Sequence, residues 1–598
     1  MKRHVLTAIV ILTGVLAAQT GEAQQIPTTD AAAAVDHYTD YTGARSLYDN
    51  GRFADAEPLL LDLLQTTPDD GMLWHMLART RHQQGDARGA IAAYRRSIEL
   101  GSRSGTWAAY QTARLHASLS EADSALTWLE RALDRRWDDR PSIIDDTAFA
   151  NLRHDARFMR LAGNAALAEI ARDEAWSRDL DYLIEESRRM HADPERRAHS
   201  AAFDSAAAAL RSRIAELDND RIVLEMSALI TMLGDGHSGI YGAGPDSPFS
   251  FEGASLPLRL YQFADGLYIV DATPEHRTWI GAEVVSFGDV PAREAIAKLQ
   301  HYMHHDNLMT IRWLGVHYQL PTLPFLEAIG ATNDSQRVTL TLRPTGGTPQ
   351  DVTFEGGPHV MSFPRRMQPA ADAGVTPLYL SRLDENYWLQ PMPDRNIIYF
   401  QFNQVRDAAA GPTIAQFADT LRHVLEASSA QNLIIDVRHN NGGNNSLVRP
   451  LLRTLVWWEL DRPGNRIFVI TGRNTFSAAQ NFINRIERMT DAVFVGEASG
   501  SRPNFTGEET NLLMPYSRVR GSISTMHWQD SDPNDTRMFI APDVPVGLHA
   551  ADYFAGRDPA LEAVLMLVST ASAHPQELPD TTASPEYEWA AAPERPGR

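Results

Sequence analysis

The sequence predicts a multidomain α+β protein: an N-terminal α-helical array, a second helical segment, a β-rich module and a C-terminal α/β core. Three observations carry this reading. Alanines recur at a fixed period near the start, short strand-like runs crowd residues 256–354, and the last third alternates apolar strands with amphipathic helices. At 598 residues the chain exceeds what one core can hold, so several domains are expected.

The opening residues read as an export signal over 1–23. Lys2, Arg3 and His4 precede an apolar run from Val5 to Ala18, and small residues follow at Gly21 and Ala23. That run is short for a membrane span and no later stretch qualifies, so an exported protein, periplasmic or extracellular, is expected. The chain has no cysteine, which removes disulfides, thiolate metal sites and a cysteine nucleophile together. A formal charge of −21 opposes binding to nucleic acid. The only lysines are Lys2 and Lys298, so few are on hand to act as a general base.

Residues 38–170 carry the repeats. Ala44, Ala78 and Ala113 stand 34 and 35 residues apart, and so do Ala56, Ala90 and Ala125. Small residues are needed where paired helices approach closely, and Gly51 and Gly85 mark the turns, although the third repeat lacks its glycine. The segment Phe53–Pro68 with Leu73–Leu100 resembles the tetratricopeptide family, which implies a docking platform for a protein partner. A second helical segment, 171–250, ends in Ile222, Leu224, Met226, Leu229, Ile230 and Leu233 at helical spacing. It runs into Gly234-Asp-Gly-His237-Ser-Gly, where glycines break the helix and present His237 on a loop.

Residues 251–365 hold strands at Gly266–Asp271, Gly281–Val290 and Val338–Arg343 around one helix starting at Pro291. This order resembles a PDZ-like module, whose edges can take an extended peptide as an added strand. In 366–570 strands are predicted at Asn396–Phe402, Leu433–Val437, Ile467–Ile470 and Ala492–Val495. Helices are predicted at Thr413–Ala427, Ser446–Leu455 and Ser477–Arg488. The tail 571–598 is rich in Pro, Glu, Ser and Thr and reads as disordered.

Two segments of this core suggest chemistry. Ser477 follows a strand and opens a helix, a corner where a hydroxyl can be exposed beside the free N–H groups of a helix start, Ala478 among them. Gly442 and Gly443 end another buried strand, where bare backbone can approach a substrate carbonyl. With Ala478 they would form an oxyanion hole. Taken singly, Ser477 reads as a helix N-cap and the glycines as a tight turn.

The order of the segments changes that weighing. Asp436-x-Arg-x-Asn-x-Gly442-Gly443, followed about 35 residues later by Thr475-x-Ser477-Ala-Ala, closely resembles the tail-specific (C-terminal processing) protease family, over roughly residues 175–565. The resemblance implies a crotonase-like α/β core, Ser477 as nucleophile, a peptide or protein substrate and no cofactor. It departs from the best-known branch in its base. The stretch matching that branch's lysine segment is Gly496-Glu-Ala-Ser-Gly-Ser-Arg502, and a guanidinium stays protonated. His237 is similar to the catalytic histidine of the tricorn-like and chlamydial-protease-like branches and can accept a proton near neutral pH. Those branches orient the histidine with a carboxylate nearly 60 residues after the serine, which points to Asp535, with Asp235 and Glu508 as alternatives.

Two rival classes compete with this reading. A lipase-type nucleophile elbow fails because Gly236-His-Ser-Gly continues into Ile240 where the elbow needs glycine. A catalytically silent binding protein on the same core is the stronger rival. Metal catalysis is not expected: His301, His304 and His305 cluster, but they are read as the exposed end of the helix from Pro291.

Overall fold

The computed structural model describes residues 31–163, 170–244, 247–249, 254–359, 362–364, 366–371 and 373–573. The expected export signal lies outside the described residues, and so does the tail beyond 573. Among the described residues no helix is long and apolar enough to cross a membrane. The chain divides into two compact units. One ends at Trp137 and takes back Thr147–Leu152; the other holds Asp138–Asp146 and everything from Arg153. The division therefore falls earlier than the expected boundary at 170.

The first unit is made of six helices, Ala31–Asp49, Phe53–Thr66, Gly71–Gln83, Ala87–Glu99, Gly105–Ser118 and Ala122–Asp134. Ala44, Ala56, Ala78, Ala90, Ala113 and Ala125 are all 0% exposed, so each periodic alanine sits where only a methyl fits between helices. Three of the helix ends that share one hydrogen-bond pattern stand at the repeat turns. The N–H of Gly51, Gly85 and Ser120 reaches back three residues, and the next N–H reaches back five. All three residues have positive φ, and the third is the serine that replaces the missing glycine.

The second unit contains three sheets. Helices Arg172–Met190, Ala201–Arg213 and Asn219–Thr231 share a core with a three-stranded antiparallel sheet whose order is Gly239–Ala243, Val519–Gln529, Asn504–Leu513. This sheet was not anticipated. Its edge strand pairs Gly239 with Ser522, far away in sequence.

The β-rich module is an antiparallel sheet of Leu258–Phe263, Gly266–Ala272, Glu283–Phe287, Arg337–Arg343 and Gln350–Glu355. The short strand Val290–Pro291 pairs with Glu283–Phe287 and leads into helix Ala292–Tyr302. A further helical stretch follows, including a π-helix at Ile311–Gln319 and helix Leu323–Ala328. Phe476 is buried in this module's core.

The α/β core is a six-stranded sheet in the order Val544–Pro545, Val493–Gly496, Arg466–Thr471, Asn432–Asp436, Ile397–Phe402, Tyr387–Met392. All neighbours are parallel except the last pair. Both faces are covered. Ile398, Phe400, Leu433, Ile435 and Val469 face the helices Ile414–Ala427, Arg449–Asp461 and Ala478–Met489. Ile397, Tyr399, Ile434 and Ile470 face helix Pro559–Ala573. Burial on both faces explains the unbroken apolar runs of these strands. Their carboxyl ends carry the chemistry-bearing loops, where open parallel sheets place their sites. There Arg438 is forked between Asp436 and Asp558, and Arg473 pairs with Glu497. Both arginines line a cavity of about 80 Å³.

Candidate active site

Strand Arg466–Thr471 leads into a loop locked by Thr475, whose Oγ1 accepts from the Gly472 N–H at 3.1 Å and donates to the Val437 carbonyl at 3.0 Å. The Phe476 N–H donates to the Asn440 carbonyl at 3.1 Å. Between this anchor and helix Ala478–Met489, Ser477 is bent to φ 55° and ψ −124°. A side chain at such a φ costs roughly 1–3 kcal/mol, a strain tolerated only where surrounding contacts enforce it. The hydroxyl makes no cap bond to the helix, so the N-cap reading does not hold.

The glycine pair fits against this corner. Gly442 has φ +105°, and a Cβ there would lie 2.8 Å from the Ser477 Cβ and 2.9 Å from the Ala478 nitrogen. Gly443 has φ +134°, and a Cβ there would lie 2.1 Å from the Val405 carbonyl oxygen. The three expected oxyanion donors differ. The Gly442 N–H is engaged by Asn440 Oδ1 at 3.0 Å, which corrects its assignment as a donor to substrate. Among the described residues nothing accepts from the N–H of Gly443 or Ala478. Asn440, in the motif but without an assigned role, is the residue that shapes the loop. Its Nδ2 donates to the Phe402 carbonyl at 3.0 Å and ties the turn to the neighbouring strand.

His237 is positioned by a different device. Asp235 Oδ1 accepts from the N–H groups of His237 (2.8 Å) and Ser238 (2.7 Å) and from Ser524 Oγ (2.7 Å). Its Oδ2 meets His191 Nε2 at 2.8 Å. Burial alone would raise the Asp235 pKa, but the bonds from His191, Ser524 and Ser238 overcome it and hold the group well below the carboxylate range. The imidazole is 9% exposed. It stacks between Phe476, with ring centres 4.4 Å apart, and Phe505, at 5.5 Å. Gly507 faces the ring, and a Cβ there would stand 3.3 Å from its Cε1. Among the described residues neither ring nitrogen has a hydrogen-bond partner, and the Ser477 hydroxyl is not bonded to either.

Asp535 does not join this group. Its carboxylate is engaged by Arg537 and by Ser531 Oγ at 2.7 Å, and the Arg537 bond is the first cause of a pKa lowered to about 2. Of the alternatives, Glu508 is exposed and Asp235 is fully committed to the loop backbone and His191. Lys298 pairs with Glu294 at 2.8 Å in the β-rich module.

Past the helix end, where His304 and His305 are half-buried, the chain turns inward. His301 is exposed, but Asp306 and Asn307 are 1% and 4% exposed, and Asn307 Nδ2 donates to the Ser499 and Met538 carbonyls. Asp306 Oδ1 accepts from the Gly236 N–H at 3.0 Å, while its Oδ2 is buried without a partner. Burial raises the Asp306 pKa to about 6 against an opposing pull from His237. Ser501 supports the corner from the other side: its Oγ accepts from the Ser477 N–H at 3.1 Å. Nothing near His237 in sequence pointed to Asp306. The only signal was a polar run, His304-His-Asp-Asn307, at the end of an amphipathic helix. Among the described residues no group of His, Asp and Glu is arranged to hold a metal ion.

No family model and no curated protein matches this chain. Solved structures that resemble it include mature CPAF, with a TM-score of 0.48 and 15% identity, covering 67% of this chain and 97% of that one. The photosystem II D1 C-terminal processing protease scores 0.31 at 10% identity, over 66% and 97%. The tricorn protease scores 0.31 at 12% identity, over 67% and 37%. At these scores the likeness decides neither fold nor activity, and the side chains must carry the functional reading.

Proposed function

We propose that the protein is an exported serine hydrolase that cleaves peptide bonds, an endopeptidase of the tail-specific protease type that uses histidine in place of lysine. The observation that carries this is the Ser477 corner: a strained backbone and, among the described residues, an uncommitted hydroxyl and two unpartnered N–H groups, those of Gly443 and Ala478. Strain of this kind persists where it positions a reacting group. The motif order around Gly442 and Ser477 supports the same family, and His237 is a buried base beside the corner, its ring stacked on the residue before Ser477.

The chemistry follows from these groups. Ser477 Oγ attacks the scissile carbonyl carbon while its proton passes to His237, and the carbonyl oxygen takes up negative charge facing the N–H groups of Gly443 and Ala478. The intermediate collapses as the C–N bond breaks and His237 returns the proton to the leaving amine. Water then repeats the sequence on the acyl-enzyme and frees Ser477. The N-terminal helical unit would recruit a partner or substrate protein.

Labelling of the purified protein with a fluorophosphonate probe tests this. Wild type is expected to label, and Ser477→Ala and His237→Ala are expected not to. A folded wild type that fails to label would favour a silent binding protein instead, a reading consistent with the absent bond between His237 and Ser477.

A further inference from the structure

We propose that Asp306 is the positioning residue of this site, the carboxylate that orients the His237 imidazole and balances its charge once it takes the Ser477 proton. This rests on the serine-hydrolase reading above. Asp306 comes from the loop after helix Ala292–Tyr302 of the β-rich module, so the acid would be supplied by a different part of the unit from the nucleophile.

The geometry is a set of complementary unmet groups. Asp306 uses one oxygen to hold the N–H of Gly236, the residue directly before His237. Its other oxygen is buried and without a partner, and so are both nitrogens of His237. A buried acceptor and a buried donor left apart are each costly, and bringing them together removes both penalties. Of the charges around Asp306, His237 acts on it most strongly. Every other candidate carboxylate is excluded by what it already does. Asp235 accepts from four groups, Asp535 is held by Arg537, and Glu508 is exposed.

The proposal requires the imidazole to shift within its slot beside Phe476 and Phe505 so that one ring N–H meets Asp306 Oδ2 and the other nitrogen meets the Ser477 hydroxyl. In the reaction the proton moves from Ser477 Oγ to His237 as the new C–O bond forms, and later from His237 to the leaving amine. Asp306 stays ionised and holds no proton. The titratable and charged groups around the His237 loop and Asp306 are Asp235 with its partner His191, Arg502, which acts on Asp306, His304 beside Gly239, and His527 beside Thr506. Asp306→Asn leaves all of them in place.

The experiment is the pH profile of the fluorophosphonate labelling rate in wild type, Asp306→Asn, His237→Ala and the double variant. Asp306→Asn is expected to label roughly 10- to 100-fold more slowly near neutral pH. Its midpoint should move about one unit toward lower pH, because an imidazolium without its carboxylate gives up its proton more readily. In the His237→Ala background the same substitution should have no further effect. An unchanged rate and midpoint in Asp306→Asn would overturn the proposal, and so would additive losses in the double variant. Should Asp306→Asn not fold, histidine-selective ¹⁵N NMR of wild type decides: one His237 nitrogen stably protonated supports the proposal, and tautomers exchanging as in free imidazole overturn it. A wild type that never labels sinks the hydrolase reading itself, and this inference with it.

Discussion

Two serines in this chain sit at nearly the same positive φ, Ser120 at 61° and Ser477 at 55°, in the two separate units. At Ser120 the conformation belongs to a helix end, and the equivalent ends use Gly51 and Gly85. The serine is a tolerated substitute there, with no buried group depending on its hydroxyl. At Ser477 the ψ of −124° turns the chain sharply, and Gly442, Thr475, Asn440 and Ser501 all act to keep it turned. The same local cost is incidental in one place and enforced in the other. What separates them is how many distant residues hold the strained one.

Relieving the strain at each serine gives the sharpest contrast. Ser477→Gly is expected to abolish phosphonate labelling while raising the unfolding free energy by about 1 kcal/mol in urea titration, since glycine accepts the backbone at no steric cost. A stability loss would mean the corner is not strained in solution. Next in size, Gly442→Ala forces a methyl against the Ser477 Cβ at 2.8 Å. Labelling should fall by at least ~100-fold, and stability by about 2 kcal/mol as the corner shifts. Labelling at the wild-type rate would show that the two loops are not packed as described. The smallest effect is expected at the other serine. Ser120→Gly should stabilise the helical unit by about 0.5 kcal/mol, the relief of strain being partly offset by glycine's greater freedom when unfolded, and leave labelling untouched.

The contrast also explains what could be read from the residues alone. The Ser477 corner was legible because its requirements lie close together in sequence: glycines that must lack a Cβ, and a serine at a strand-to-helix junction. The parallel strands were legible because burial on both faces demands unbroken apolar runs such as Ile434–Ile435. The repeat was legible because helix packing imposes alanine at a fixed period. The surroundings of His237 were not, since its walls and supports come from Phe476, Phe505, Gly507, Ser522 and Asp306, each set by tertiary pairing. The choice of Asp535 rested on distance along the chain, and an adjacent arginine two residues on had already claimed it. The three-stranded sheet escaped for the same reason, because its edge strand has no partner until residues 519–522 arrive.

Phe476 belongs to the core of the β-rich module, while its chain neighbour Ser477 belongs to the corner above the parallel sheet. One peptide bond thus joins the hydrophobic interior of one part to the reactive hydroxyl of the other, with the imidazole resting on the same ring. Under the proposed mechanism, a ligand that repacked that module would pull on Ser477 and His237, and by reciprocity a substrate seated at the serine would alter how tightly the module held such a ligand.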